Sequence, residues 1–392
     1  MSANGEHAKE LPEVFKVSAP GKVILHGEHS VVYGKRAVAL SVGLRTYLTI
    51  TVGGDSISLD FPLIDIKESW SLDTFRNLRA KLGCQKDEGP KKLSEKQSQC
   101  IHAFLHIGEE ATDPRKLALL SFFHMYMGIL PEPLPLSISV SSDLPIGAGL
   151  GSSAAYAVCL AGALLQLSGS FDLRRLSSSP AEEYTASILK IVSQWAFASE
   201  EIVHGTPSGI DNSVCTYGGA VSFKSGDISP IHIPPLKVLL VNSGVPRSTK
   251  ALVSGVRERK ERLPEVMAPI LDSLDVLANK GLAVLQSLTA ALDDDKRNQA
   301  FQTLEELVDI NQALLCALGV SHASLDRLVG IARSHGLHAK LTGAGGGGFG
   351  IVIVPPSVNE SVIDGCCEEL RSSGYEVWST SIGAPGLSMH CG

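Results

Sequence analysis

None of the eight cysteines in this 392-residue chain stands in a C-x-x-C pair, so no zinc site is indicated. They are scattered at Cys84, Cys100, Cys159, Cys215, Cys316, Cys366, Cys367 and Cys391. Several lie in apolar runs, where a thiol behaves as a small hydrophobe, and this usage fits a reducing compartment. No basic patch stands against the net charge of −7. Lys91, Lys92 and Lys96 fall in a polar, loop-like stretch, so no nucleic-acid partner is expected. The polar N-terminal residues lack the apolar stretch of a secretory leader. The apolar run 117–130 is interrupted by His124 and is too short for a bilayer. It reads as a buried helix, and no membrane partner is expected. There is no internal repeat and no long low-complexity tract.

What remains is a globular chain, 44% hydrophobic and long enough for two domains. Residues 13–60 carry β-formers in alternation, read as strands at 14–17, 38–42 and 47–52, with Gly53-Gly54-Asp55 as a hairpin turn. Residues 65–115 show only weak helical patterning. A period-two strand at 136–141 leads into a small-residue helix at 151–168. A helix at 181–204, a strand at 218–223 and an apolar strand at 236–242 follow. Helices are expected at 249–263, 264–292, 297–318 and 324–335, with strands at 349–354 and 376–381. This order predicts an α+β fold, divided near residue 234 into parts 1–234 and 235–392.

Four segments carry chemistry. Leu144-Pro-Ile-Gly-Ala-Gly-Leu-Gly-Ser-Ser-Ala-Ala155 packs three glycines and two serines ahead of a helix. Glycines bring backbone N–H groups close to a ligand, and a helix start offers unpaired donors at a positive dipole end. That is a phosphate site. It is not a P-loop, because no lysine follows Gly151. One of Ser152 and Ser153 can cap the helix while the other faces a metal ion. The second segment, Thr342-Gly-Ala-Gly-Gly-Gly-Gly-Phe-Gly350, matches G-x-G-x-x-G but runs into a strand, which argues against a dinucleotide fold. It is expected to face ligand through Gly343, Gly345 and Gly346. The third places Lys22, Glu28 and His29 around Gly21 and Gly27. The fourth, Glu200-Glu-Ile-Val-His-Gly-Thr-Pro-Ser-Gly-Ile-Asp-Asn212, supplies a carboxylate for Mg²⁺ and one to take a hydroxyl proton.

Taken along the chain, Ala19-Pro-Gly-Lys22, then Pro145–Ala155, then Lys340–Gly350, the segments resemble the motifs of the GHMP kinase family, whose members phosphorylate galactose, homoserine, mevalonate and phosphomevalonate. The resemblance is spread over nearly the whole chain. It is strongest to the mevalonate-phosphorylating branch, through Lys22-Val-Ile-Leu-His-Gly-Glu-His29, His204-Gly-Thr-Pro-Ser-Gly-Ile-Asp-Asn212, Val245-Pro-Arg-Ser-Thr249, His322-Ala-Ser-Leu-Asp326 and Lys340-Leu-Thr-Gly343. Thr206 and Phe349 depart from otherwise matching runs. The resemblance implies an N-terminal domain like the second domain of ribosomal protein S5 and a ferredoxin-like C-terminal domain. It implies that ATP and Mg²⁺ are used to phosphorylate mevalonate in isoprenoid and sterol synthesis, in a cytoplasmic homodimer, with prenyl diphosphates competing with ATP. Lys22-Val23 with His29 loosely resembles a peroxisomal address, from which Ser30 departs.

Asp211 and Lys22 are then the expected catalytic pair. ATP is expected on Lys22, Pro145, Gly147, Ala148, Gly149, Leu150, Gly151, Ser152, Ser153 and Ala154, and on the three second-loop glycines. Glu28, His29, Arg247 and Thr249 are the expected substrate residues, and Ser153 with Glu200 the expected metal ligands, Glu201 being the alternative. Other GHMP small-molecule kinases, a diphosphomevalonate decarboxylase and a silent ligand sensor of the same fold stay open.

Overall fold

A computed structural model describes residues 13–83, 89–91, 93–106, 113–145, 147–177, 183–205, 207–290 and 293–390. Residues 1–12, Cys84, Lys92, Ile146, Thr206, Cys391 and the helix ends expected at 181–182 and 291–292 lie outside them. The chain opens with β1 (Val14–His26) and β2 (Ala37–Val52), paired antiparallel along most of their length. β1 does not end at Val17. It runs on through Lys22 because the ladder absorbs irregularities between Pro20 and Lys22 and between Ile24 and His26. Pro20 has no N–H to give the ladder, so a bulge falls there. β2 is likewise one strand where two were expected.

β3 (Ser56–Phe61) pairs with β4 (Ile66–Ser71), and β5 (Leu136–Ser142) lies between β3 and β2. Gly53-Gly54-Asp55 therefore turns the chain but closes no hairpin, which corrects the sequence reading. β5 buries Leu136, Ile138 and Val140 on one face, and it pairs antiparallel with β2 and parallel with β3. Its clean alternation suits it to a place inside the sheet.

The illegible stretch 65–115 forms β4, α1 (Leu72–Leu82) and α2 (Glu95–Leu105). These helices are 11 residues long each and bury few side chains, among them Phe75, Leu78 and Ile101. Ser71 caps α1, and Ser94 forms a capping box with Gln97 on α2. α3 (Pro114–Ile129) is the expected buried helix. Trp70, Phe75, Phe122 and Phe123 stack together and anchor it.

α4 (Ser152–Leu167) is buried almost throughout. Its alanines let it lie close on β1 and β2, while each buried leucine contributes roughly 1.5–3 kcal/mol. α5 (Glu183–His204) packs on α4. α6 (Ile210–Tyr217), not among the helices expected from sequence, is a short helix. β6 (Ala220–Lys224) and β7 (Asp227–Ile231) form a hairpin on β2.

The second half contains β8 (Leu236–Asn242), α7 (Thr249–Arg262), α8 (Pro264–Ala290), α9 (Asp294–Leu318) and α10 (Ala323–Ser334). It continues with β9 (His338–Leu341), β10 (Phe349–Ile353), α11 (Glu360–Ser372), β11 (Glu376–Ile382) and β12 (Ser388–His390). β11, β8, β10 and β9 extend the sheet from β2, joined through one residue pair, Ile382 with Val42. β12 returns to pair with β1, so the chain's end packs on its beginning. Among the described residues no helix is long and apolar enough to cross a membrane, and the cysteines are free thiols.

Candidate active site

The phosphate loop is built by three left-handed glycines. Gly147, Gly149 and Gly151 have φ of 69°, 72° and 76°, a region costly to residues with a Cβ. Gly151 is the N-cap of α4, with no side chain capping the helix, so neither serine is spent that way. The amide of Ala155 bonds the carbonyl of Gly151. The amides of Ser152, Ser153 and Ala154 precede it in the first turn, where intrahelical acceptors are lacking. They lie at the positive end of a 16-residue helix, which favours an anion there.

β1 delivers Lys22 to this loop. Its amide donates to the carbonyl of Leu150 at 2.8 Å. Gly21 permits the approach, since a Cβ there would lie 2.7 Å from that carbonyl oxygen. The Lys22 Nζ lies 3.1 Å from Asp211 Oδ1. Asp211 sits in the first turn of α6, behind the left-handed N-cap Gly209.

Glu200, near the end of α5, is buried, and its carboxyl is pushed up to about 7 by burial and then by the nearby Asp211. The Ser153 hydroxyl and Lys22 act in the opposite direction. Glu201 lines a different cavity with Ser193, Phe197 and Gln194. One step along a helix turns a side chain by about 100°, so Glu200 alone of the two faces Asp211.

Lys22, His29, Glu200, Asp211, Arg247 and Thr249 line one cavity of about 460 Å³. Ser153 also borders a second, apolar cavity of about 220 Å³ walled by Phe61, Ile64, Leu117 and Tyr156. His29 adopts φ 59°, and its Nε2–H donates to the carbonyl of Ala344 at 2.8 Å. Burial lowers its pKa, which favours the neutral ring. Glu28 also reaches this cavity, but its Oε1 accepts from Lys340, a fully buried partner. Arg247 donates to the carbonyl of Ala148 at 2.9 Å and lies over Gly149 and Gly348, bridging both glycine loops.

The second loop is corrected in part. Gly343 and Ala344 line the cavity. Gly345 and Gly346 do not face it: a Cβ on Gly345 would lie 2.0 Å from the Val320 carbonyl, and the Gly346 amide donates to that carbonyl at 2.8 Å. Sequence reasoning gave no role to Lys340, Thr342 or Asn212. A lysine flanked by Ala339 and Leu341 in an apolar strand is a signal for a buried, paired charge.

The donors fit Mg²⁺. A buried carboxylate, a hydroxyl and a second carboxylate nearby are hard oxygen ligands. Among the described residues no group of three His, Cys, Asp or Glu forms a closed metal site. Mg²⁺ typically takes one or two protein carboxylates and completes its shell with phosphate and water.

Comparisons agree with this geometry. The family described as GHMP kinases N terminal domain matches residues 116–219, and GHMP kinases C terminal matches residues 288–372. Mevalonate kinase from Bos taurus is 43% identical over 97% of this chain and 96% of its own length. The Homo sapiens enzyme is 42% identical over the same shares, 97% and 96%. The solved mevalonate kinase of Methanococcus jannaschii shares the fold, with TM-score 0.66 at 23% identity over 95% of this chain and 98% of that one. The chain belongs to the GHMP kinase family, among its mevalonate kinases.

Proposed function

We propose that this protein transfers the γ-phosphoryl group of ATP to the primary hydroxyl of mevalonate, giving 5-phosphomevalonate and ADP. The observation that carries the reading is the Lys22–Asp211 pair at 3.1 Å, beside unpaired helix-start amides and the Glu200–Ser153 donor set. The phosphates rest on the amides of 152–154 and on the loop 147–151. The adenine ring takes the apolar cavity beside Ser152, walled by Phe61 and Tyr156.

Asp211 accepts the hydroxyl proton as the oxygen bonds the γ-phosphorus. The bond from that phosphorus to the β–γ bridging oxygen breaks, and ADP leaves with the electron pair. Lys22 stands beside Asp211 and balances charge on the moving phosphoryl group. Ser153 and Glu200 hold Mg²⁺, which when bound offsets charge on the β- and γ-phosphates. His29, Thr249 and Arg247 orient the acceptor, and Ile24, Val31, Val32 and Val253 offer its branched methyl an apolar wall.

The relatives support mevalonate over galactose, homoserine or phosphomevalonate as acceptor. The apolar cavity beside the phosphate site supports competition by prenyl diphosphates, whose diphosphate and hydrocarbon would occupy both parts. We further infer lobes dividing near residue 234, a homodimer and a cytoplasmic setting. The test is ADP release with each of the four acceptors, with and without Mg²⁺. Mg²⁺-dependent turnover is expected with mevalonate alone, and turnover with any other acceptor in its place overturns the assignment.

A further inference from the structure

We propose that Lys340 is a positioning residue for the phosphoryl acceptor, acting through a buried ion pair with Glu28 that ties β9 to the end of β1 beneath the acceptor side of the cavity. The proposal rests on the reading of that cavity as the mevalonate site.

Lys340 lies in β9 and is fully buried. An ammonium taken out of water costs several kcal/mol unless it is well paired. Its Nζ donates to Glu28 Oε1 and to the carbonyl of Leu341 at 2.7 Å. Glu28 is equally buried: burial pushes its carboxyl up, and Lys340 draws it back down. Behind the pair stands Asn311 of α9, whose Nδ2, like the Glu28 Oε2, is buried without a hydrogen-bond partner. The Asn311 Oδ1 lies 2.7 Å from His26 Nδ1. Burial and Lys340 lower the His26 pKa to about 3, so its ring is neutral and its Nδ1–H donates to Asn311. Gly281 of α8 leaves room for that ring, since a Cβ there would lie 2.3 Å from His26 Cδ2.

The groups held by this network face the acceptor. Glu28 precedes His29, which adopts φ 59°, a conformation that costs a non-glycine residue about 1–3 kcal/mol and persists only when its surroundings impose it. On the other strand Lys340 is followed by Thr342, whose hydroxyl donates to the Ile24 carbonyl at 2.8 Å and accepts from the Ile24 amide at 3.1 Å. Next comes Ala344, whose carbonyl holds His29. The ion pair thus supports both sides of the His29–Ala344 contact. The phosphate-binding helix start is tied separately, by the Lys22 amide to Leu150. Loss of the pair acts on the acceptor and spares ATP.

Lys340→Met keeps most of the side chain's volume and removes its charge. In steady-state assays KM for mevalonate is expected to rise about 10- to 100-fold, the scale of an ångström-sized misplacement, with KM for ATP unchanged. The double variant Glu28→Gln/Lys340→Met carries no lone buried charge, so it recovers the melting temperature lost by the single change. It keeps the raised KM for mevalonate. An unaltered mevalonate KM in either folded variant, an equal rise in both KM values, or failure of both variants to fold overturns the proposal and leaves Lys340 a structural role. Wild-type protein assayed in parallel separates the two ideas. Absent turnover there sinks the mevalonate reading itself, whereas normal wild-type turnover without the KM split sinks only the role of Lys340.

Discussion

Two glycine-rich segments reach the same cavity and use their glycines in different ways. In the segment before α4, nothing lies within 4 Å of where a Cβ on Gly147 would stand, while Gly149 and Gly151 make room for the side chains of Arg247 and Lys22. In the segment between β9 and β10, the space beside Gly345 belongs to the Val320 carbonyl and that beside Gly346 to Leu252. There the missing side chains let protein pack on protein. Glycine content alone does not separate a ligand cradle from a tight backbone crossing; the neighbours of each Cβ position do. In the proposed reading the chemistry gathers on the side of the first loop, and the second loop serves mainly to join β9 and β10 to β1 and α7.

The contrast makes its strongest demand at Asp211. Asp211→Ala is expected to lower kcat by about 10²- to 10⁴-fold, the usual worth of one general base, while ATP still binds. Near-normal turnover of the purified variant would show that the first-loop side does not carry the base.

Glu200→Gln is expected to raise the Mg²⁺ concentration needed for half-activity by roughly 10- to 100-fold. The pH dependence follows from the same carboxyl. It is pushed up to about 7, and only its ionised form attracts the cation. The Mg²⁺ requirement of the wild-type protein therefore falls as pH rises through about 7, and the glutamine variant loses that dependence. An equal slope in both proteins excludes Glu200 as the titrating ligand.

The remaining pair of changes tests the two loops directly. Gly345→Ala places a methyl group against the Val320 carbonyl in a left-handed backbone, at a cost of about 1–3 kcal/mol. Thermal or denaturant unfolding reads this loss, and KM for ATP is expected to stay unchanged. Gly147→Ala meets no neighbour and costs only about 1 kcal/mol of backbone strain. Its effect is expected in KM for ATP. A reversed pattern, with stability lost at Gly147 and ATP affinity lost at Gly345, would overturn the division of labour.

Much of this architecture was legible because strong patterns lie on long elements. The period-two strand at 136–141 and the apolar strand at 236–242 emerge within a residue of their expected ends. The helices from Thr249 to Ser334 stand where they were expected, α9 starting earlier, at Asp294 rather than Arg297. Several elements were not anticipated, among them β4, β7, β9, α6, α11 and β12. α6 is 8 residues long and follows a Pro-Ser-Gly stretch that reads as a turn. α11, with Gly365 and a pair of cysteines in it, has only four fully buried side chains. β12 is 3 residues long and forms only because β1 offers it an edge. The site behaved alike. Lys22, Asp211, Ser153 and Glu200 carry charge or hydroxyl groups in motifs that announce them. Lys340 stood in a matching motif with no role assigned to it, and the choice between Glu200 and Glu201 depended on which face α5 turns toward α6.

Residue types and their spacing determined by themselves that a helix start would meet an anion, that two carboxylates and a lysine would serve it, and that strands and helices would mix. Those features are local, and a few neighbouring residues suffice to set them. Only the tertiary structure decided that β5 separates β2 from β3, that Arg247 bridges both loops, and that Glu28 pairs with Lys340. Each depends on groups distant in sequence sharing one small volume, where burial, far more than residue type, sets what a charge must find.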